Sequence, residues 1–306
     1  MISGKWKMAA AICCWILFLS LGPGVHSQKA AQPQSPERRL NVAILDFGAS
    51  ETAKLVSELL AGKLASNEVA IVDRDLARSA GRGVGYQGSL NLSLSEARDL
   101  GAAIGCDFFI IGDAQTLRRT SSTDPNYFES YASIFLVSSR TGRLISWQRP
   151  SIKAPTAEVA ERKLLDELKN EDVSRYISAL AQATRDERHQ RELAVERNTP
   201  IIEEAQGESS EVKGLRNPRP YRRLKPAYPE SAARADATGI VDVLVDLDEE
   251  GEVSQVDLAR WAGFGLDEAA LNTVRQMHFA PALRDGKPIP IRVLLRYNFR
   301  REAEAK

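Results

Sequence analysis

The first 39 residues set apolar and polar positions in blocks. Met8 to Leu21 (MAAAICCWILFLSL) is an unbroken apolar run, preceded by Lys5 and Lys7 and ended by Gly22-Pro23-Gly24. With the small and apolar Val25-His26-Ser27 behind that break, residues 1–27 have the three-part layout of an export signal. The run is shorter than the roughly 20 residues that cross a bilayer. This favours a cleaved signal peptide over an uncleaved signal anchor, and both readings stay open. No cysteine follows the break, which argues against a lipid-attached N-terminus. Residues 28–39 (QKAAQPQSPERR) have no apolar period and read as a linker.

From Leu40 the pattern becomes that of a folded unit. Leu40 to Phe47 (LNVAILDF) is a short apolar run suited to a buried strand. Leu55, Val56, Leu59, Leu60 and Leu64 then repeat at three and four residues, the period of one helix face. Val69 to Val72 predicts a second strand, and Asp73-Arg74-Asp75 a helix start. Ser93 and Glu96 form a capping box ahead of a helix that turns Leu94, Ala97, Leu100 and Ile104 inward. Phe108 to Ile111 predicts a third strand. Ser130–Val137 and Arg143–Trp147 flank Ser-Ser-Arg-Thr-Gly and predict a hairpin. This order predicts an α/β sandwich with a mixed sheet over residues 40–149.

Residues 156–197 read as a charged helical segment with a partial apolar stripe of Val159, Leu165, Leu168, Val173, Ile177 and Leu180. Such a stripe either docks on the preceding domain or leaves the helix as a spacer, and docking is the simpler expectation. Residues 198–219 mix Pro, Gly, Ser and Glu and read as a linker.

The last unit, residues 220–303, follows a ββαβ pattern. Tyr228-Pro229 precedes a short helical stretch, and Gly239 to Leu247 (GIVDVLVDL) alternates as a strand, with Asp242, Leu244 and Asp246 against the valines. Asp248-Glu-Glu-Gly251 is a turn in which Gly251 supplies the positive φ. Val253 to Arg260 returns as a second strand. Asp267 is placed to cap a helix carrying Ala270, Leu271, Val274 and Met277 on one face. Phe279-Ala-Pro281 ends that helix. Asp285-Gly286-Lys-Pro288 is another turn, and Ile289 to Phe299 is the final strand. The fold class is therefore α+β: an α/β sandwich, a helical spacer, and a small domain with a three-stranded antiparallel sheet.

Charge and chemistry narrow the function. Lys plus Arg and Asp plus Glu both number 41, so the chain lacks the basic excess of a nucleic-acid binder. Beyond the N-terminal run only Cys106 remains, which excludes an internal disulfide or thiolate metal site and reads as a buried, inert thiol. His189 and His278 sit in no nucleophile or ligand spacing. Asp246-x-Asp248-x-Glu250-Gly251 imitates a calcium loop, but its flanks alternate as strands where helices are required, so a hairpin is the better reading. Gly81-Arg-Gly-Val-Gly85 does not join a strand to a helix as a phosphate loop must, and reads as a mobile loop. Trp147 and Trp261 read as packing residues. No catalytic residue, cofactor or metal is expected, and the chain is not read as an enzyme.

Two resemblances add to these readings. "YPESAARADATGIVDVLVDLDEEGEV" followed by "GFGLDEAALNTVRQMHFAPALRDGKPIPIRVLLRYNF" resembles the C-terminal domain of TonB-family energy transducers. The matching positions are Tyr228, Pro229, Gly239, Gly251, Leu266, Asp267, Ala270, Phe279, Pro281, Gly286 and Pro288. More weakly, residues 40–149 resemble the N-terminal domains of CsgG, FlgO and TolB-like envelope proteins, which implies a periplasmic scaffold with no catalytic residues. The TonB resemblance implies an exposed last strand that pairs with an extended segment of an outer-membrane TonB-dependent receptor. On this chain that edge is Ile291, Arg292, Val293, Leu294, Leu295, Arg296 and Tyr297. Arg292 and Arg296 share a face and are expected to attract an acidic peptide, or simply to keep the edge soluble. Pro290 donates no hydrogen bond, so pairing is expected to begin after it.

Two departures qualify the resemblance. An α/β domain stands where the family carries a proline-rich spanner, and no histidine lies within Met8–Leu21 to couple to an ExbB/ExbD-like motor. The expected function is peptide capture in the periplasm, with proton-motive energy transduction as its fuller form. The alternative is a non-transducing scaffold or assembly factor that docks a partner through the same domain. An exposed edge also permits a dimer.

Overall fold

The computed structural model describes residues 39–120, 126–196, 203–204 and 214–301. The expected signal or anchor (1–27), nearly all of the first linker and most of the second lie outside the described residues. No helix among the described residues is long and apolar enough to cross a membrane.

The first domain is built from β1 (Leu40–Ile44), α1 (Glu51–Leu64), β2 (Val69–Ile71), α2 (Arg74–Gly83), α3 (Leu94–Ile104), β3 (Phe108–Arg119), β4 (Tyr127–Ser138), β5 (Leu144–Gln148) and β6 (Ser151–Ala154). The sheet order is β2-β1-β3-β4-β5, with β6 also on β4. β1 is parallel to β2 and β3, and the remaining pairs are antiparallel, so the sheet is mixed as expected. β3 and β4 run to 12 residues each, longer than the apolar core of either predicts. Their polar ends still pair, as in Arg119 opposite Tyr127, because ladder bonds do not depend on side-chain polarity.

Both faces of the sheet are covered, which is why its strands read as continuous apolar runs. Val42, Ile44, Phe108, Ile110, Ile134 and Leu136 pack beneath α1 and two later helices, α4 (Ala157–Asn170) and α5 (Ser174–Glu196). Ala43, Leu45, Phe109, Ile111, Phe135 and Val137 face the other way. Within the segment expected at 156–197, α4 and the first half of α5 therefore dock on the sheet. Its buried stripe on α4 is Ala160, Leu164 and Leu168, while Val159 and Leu165 lie at its margin. Lys63 of α1 donates to the carbonyls of Leu168, Lys169 and Glu171 at 2.7, 2.8 and 2.6 Å, capping the end of α4 with a cation.

Local signals hold at most helix ends. Ser50 and Asp73 cap α1 and α2, and Ser93 with Glu96 makes the reciprocal capping box of α3. The Gly81–Gly85 segment is not a loop throughout. Gly81 and Gly83 lie in α2, and Gly81 is buried where a Cβ would sit 3.4 Å from Leu100 of α3. Cys106 is half-buried, near Ser139 Oγ at 3.2 Å, and burial pushes its thiol pKa up.

The second domain begins inside the expected linker. β7 (Glu203–Glu204), β8 (Leu215–Arg216) and β9 (Arg219–Pro220) all pair with later strands. They precede α6 (Glu230–Ala235), β10 (Gly239–Leu247), β11 (Val253–Arg260), α7 (Leu266–Val274), β12 (Phe279–Ala280), β13 (Ala282–Arg284), β14 (Lys287–Ile289) and β15 (Ile291–Phe299). The expected antiparallel trio is β11-β10-β15, extended by β7 to an order of β11-β10-β15-β7. Asp285 and Gly286, both at positive φ, form the two-residue β13–β14 turn.

Candidate partner-binding edge

β15 pairs with β10 along its whole length, from Ile291 opposite Leu247 to Phe299 opposite Gly239. Alternation sends Ile291, Val293, Leu295, Tyr297 and Phe299 into the core and Arg292, Leu294 and Arg296 to the opposite face. On that face the cross-strand partners are Asp246–Arg292, Leu244–Leu294 and Asp242–Arg296. Both ion pairs are bidentate. Arg292 donates to Asp246 at 2.6 and 2.7 Å, and Arg296 to Asp242 at 2.7 and 2.9 Å. Asp242 and Asp246 are only 5% and 4% exposed.

Arg292 and Arg296, expected to attract an acidic peptide or to keep the edge soluble, are thus each engaged within the sheet. Each guanidinium is committed to a carboxylate one strand away. Their work is to hold register, because a one-residue slip would set Arg292 against Val245 or Leu247 and Arg296 against Val241 or Val243. The signal was present in Asp242-x-x-x-Asp246 against Arg292-x-x-x-Arg296, and it becomes readable only once the antiparallel pairing is known.

The other side of β15 carries the backbone groups that β10 does not use. Only its first two residues meet a further strand among those described: Ile291 pairs with Glu203 and Arg292 with Glu204, in parallel. From Val293 to Phe299 no strand among the described residues lies beyond it. β15 itself opens directly after Pro290, which belongs to neither β14 nor β15.

The matching family positions are architectural. Tyr228 donates its hydroxyl to the Ala237 carbonyl at 2.5 Å, and Pro229 precedes α6 at φ −68°. Gly251 has φ +84°, and a Cβ there would lie 2.2 Å from the Phe279 carbonyl oxygen. Leu266, Ala270 and Phe279 are buried. Asp267 does not cap α7, whose N-cap is Gly265. It accepts instead from the backbone N–H groups of Ala262 and Gly263, at 2.8 and 3.0 Å, bracing the loop between β11 and α7. Burial raises its pKa to about 6, outweighing those two donors.

That loop, Trp261-Ala-Gly-Phe-Gly265, is the feature sequence reasoning missed. It docks the small domain on the face of the first sheet that α4 and α5 leave uncovered. Trp261 is fully buried, its ring 6.1 Å from that of Phe135 and its indole N–H donating to the Gly142 carbonyl at 2.9 Å. Phe264 meets Phe135 edge-on at 5.4 Å and Trp147 at 5.3 Å. Gly263 must be small here, since a Cβ would lie 2.5 Å from the Phe135 ring.

Polar contacts surround this plug. Asn91 donates to the carbonyls of Ile240 and Trp261 at 2.8 and 2.6 Å and accepts from the Ile240 N–H at 3.0 Å. Arg260 reaches Glu96 at 3.1 Å, and Arg143 reaches Asp257 at 3.2 Å. Residues of both domains fall in one hydrophobic cluster, and residues 38–306 form one unit. The β15 edge is therefore presented by a fixed body.

Comparisons with known proteins bear on this site. The family model of the Gram-negative bacterial TonB protein C-terminal domain matches residues 225–300. The solution structure of the Pseudomonas aeruginosa TonB C-terminal domain is similar at 19% identity and a TM-score of 0.25, over 31% of this chain and 91% of that one. The hypothetical protein CT253 of Chlamydia trachomatis is similar at 10% identity and a TM-score of 0.31, over 47% and 98%. Lipoprotein GNA1162 of Neisseria meningitidis is similar at 13% identity and 0.30, over 47% and 99%. No curated protein matches the chain. Matched in order from Tyr228 to the closing strand and folded around β10, β11, α7 and β15, residues 225–300 are a TonB C-terminal domain, a protein-interaction module of the bacterial envelope.

Proposed function

We propose that this protein captures an extended segment of an outer-membrane TonB-dependent receptor by adding it as a strand to β15. The observation that carries this reading is the stretch Val293–Phe299, which has β10 on one side and no described strand on the other. An unpaired edge gains ladder hydrogen bonds from a guest, while the guest's alternate side chains give selectivity. The test is titration of a receptor segment onto Val293→Pro and Leu294→Pro variants. Neighbouring residues of a strand aim their N–H groups to opposite sides, so one of the two removes an N–H that points at the guest, and that variant should bind at least about tenfold more weakly. Unchanged affinity in both, with far-UV dichroism intact, refutes pairing along this edge.

A scaffold reading without force transmission is favoured by a different observation. The TonB C-terminal domain here is locked to an α/β domain through Trp261 and Phe264. That makes a rigid adaptor suited to positioning a partner. The two readings part at the N-terminus, because force from an ExbB/ExbD-like motor requires an uncleaved anchor. Mass spectrometry of the mature protein separates them: a chain beginning at Gln28 removes the transducer reading for this protein acting alone. Anchored or free, the folded part acts in the periplasm.

A further inference from the structure

Among the described residues, β7 is the strand that already sits on the outer side of β15. Glu203 pairs with Ile291 and Glu204 with Arg292, in parallel, so two rungs of the edge are taken by the chain itself. β7 lies in the stretch between α5, which ends at Glu196, and β8, which opens at Leu215. Both ends of that stretch are held in the same body. Tyr176, Leu180 and Ala183 of α5 are buried against the first sheet, and Leu215 and Arg216 pair with Arg284 and Leu283. The Gly214 carbonyl also accepts from the Asp285 N–H at 2.9 Å. A strand tethered on both sides meets its edge at a local concentration on the order of millimolar, whatever the concentration of a guest.

The contact is nonetheless slight. Two residues make a shorter strand than is usual in a sheet. Ala205 to Glu211 (AQGESSE), which follow, include no β-branched or aromatic residue to favour a longer ladder. No strand among the described residues pairs with the far side of β7. Two rungs at an exposed edge are weak enough for a guest to displace, and strong enough to subtract from its affinity.

From this we infer that β7 is a built-in competitor: the chain's own strand holds Ile291 and Arg292 against a captured segment, and a guest longer than the Val293–Phe299 stretch must displace it to pair further. The inference rests on the edge reading above and adds to it a limit on the length that is captured freely. Two strands cannot use the same N–H and C=O groups of one edge, so the competition is direct. A guest paired along Val293–Phe299 meets β7 end to end. Lengthening it by two residues toward Pro290 gains nothing until β7 leaves.

The test uses the full folded chain, titrated with two synthetic peptides of alternating Thr and Val, one about seven and one about nine residues long to match the free stretch and the whole of β15. Each is closed at both ends by Gly-Ser. Wild type should bind the two within about twofold of each other, because the extra rungs are occupied. The Glu203→Pro/Glu204→Pro variant removes both N–H groups of β7. It should bind the longer peptide at least about fivefold more tightly than the shorter, a gain on the scale of two net hydrogen bonds. Glu203→Gly/Glu204→Gly weakens the strand while keeping those groups, and should give a smaller gain in the same direction. Amide exchange supplies a structural readout without any guest. Neighbouring N–H groups alternate sides, so at least one of Ile291, Arg292 and Val293 donates to β7 and should exchange faster in the proline variant. A length gain already present in wild type, no gain in either variant, or unchanged exchange at all three amides overturns the competitor and spares the edge. If neither peptide binds any of the three proteins, the edge reading falls and the competitor with it.

Discussion

Removing the Trp261 side chain is the most direct test of the fixed body. Trp261 is 0% exposed, so Trp261→Ala leaves a large cavity between Phe135 and the small domain's own core. Large-to-small aromatic substitutions at such sites cost about 3–5 kcal/mol. The lost N–H bond to the Gly142 carbonyl, worth about 1 kcal/mol net, lies partly within that range. We expect a loss of about 4 kcal/mol, a large share of a typical domain's margin. Urea unfolding, followed by far-UV dichroism and by emission of the remaining dock tryptophan, Trp147, is the assay. Wild type should show one transition by both probes, because the two domains share a core. Trp261→Ala should show either a much lower midpoint or two separated transitions. A cycle with Phe135→Ala should return a coupling of about 1 kcal/mol from the ring pair. A loss below about 1 kcal/mol with a single unchanged transition would refute the claim that this loop joins the domains.

Other outcomes follow from the same structure. Asp246→Ala removes the bidentate carboxylate from Arg292 and should cost about 1–2 kcal/mol by denaturant titration, a figure discounted for the partly exposed guanidinium; pairing Asp246→Leu with Arg292→Leu should recover most of it. Asp267 has a folded pKa of about 6 against an ordinary 3.8, so the native state holds its proton more tightly. Its contribution is therefore favourable at pH 4 and lost as pH rises through 6, by up to about 3 kcal/mol. The stability difference between wild type and Asp267→Asn should fall across that window, and a flat difference would show that the carboxyl is not burdened by burial. Gly112→Ala should destabilise by about 3 kcal/mol or more, because a Cβ would lie 2.0 Å from the Phe47 ring and 2.5 Å from the Ser133 carbonyl oxygen. A shift in Tm smaller than a few degrees would mean that β3 can give way there.

The sequence by itself determined what depends on near neighbours. Apolar period marked β1, β2, α1 and α3, and the Ser93–Glu96 box fixed a helix start from four residues. Gly251 announced a turn because few other residues accept its φ, and the order of turns and strands after Tyr228 was enough to identify the TonB C-terminal domain. Packing decided the rest. Gly81-Arg-Gly-Val-Gly85 read as a loop, yet Gly81 and Gly83 continue α2, where Gly81 packs against Leu100 of α3. Asp267 sat where a cap belongs, but the buried N–H groups of Ala262 and Gly263 claimed its carboxylate. Arg292 and Arg296 looked like bait for a partner until strand pairing set them against Asp246 and Asp242. Trp261 read as a packing residue, and its partner Phe135 lies 126 positions earlier in the chain. No period or motif encodes a contact of that span. It exists because two apolar surfaces, each left open by its own domain, lose less to water when they close on one another.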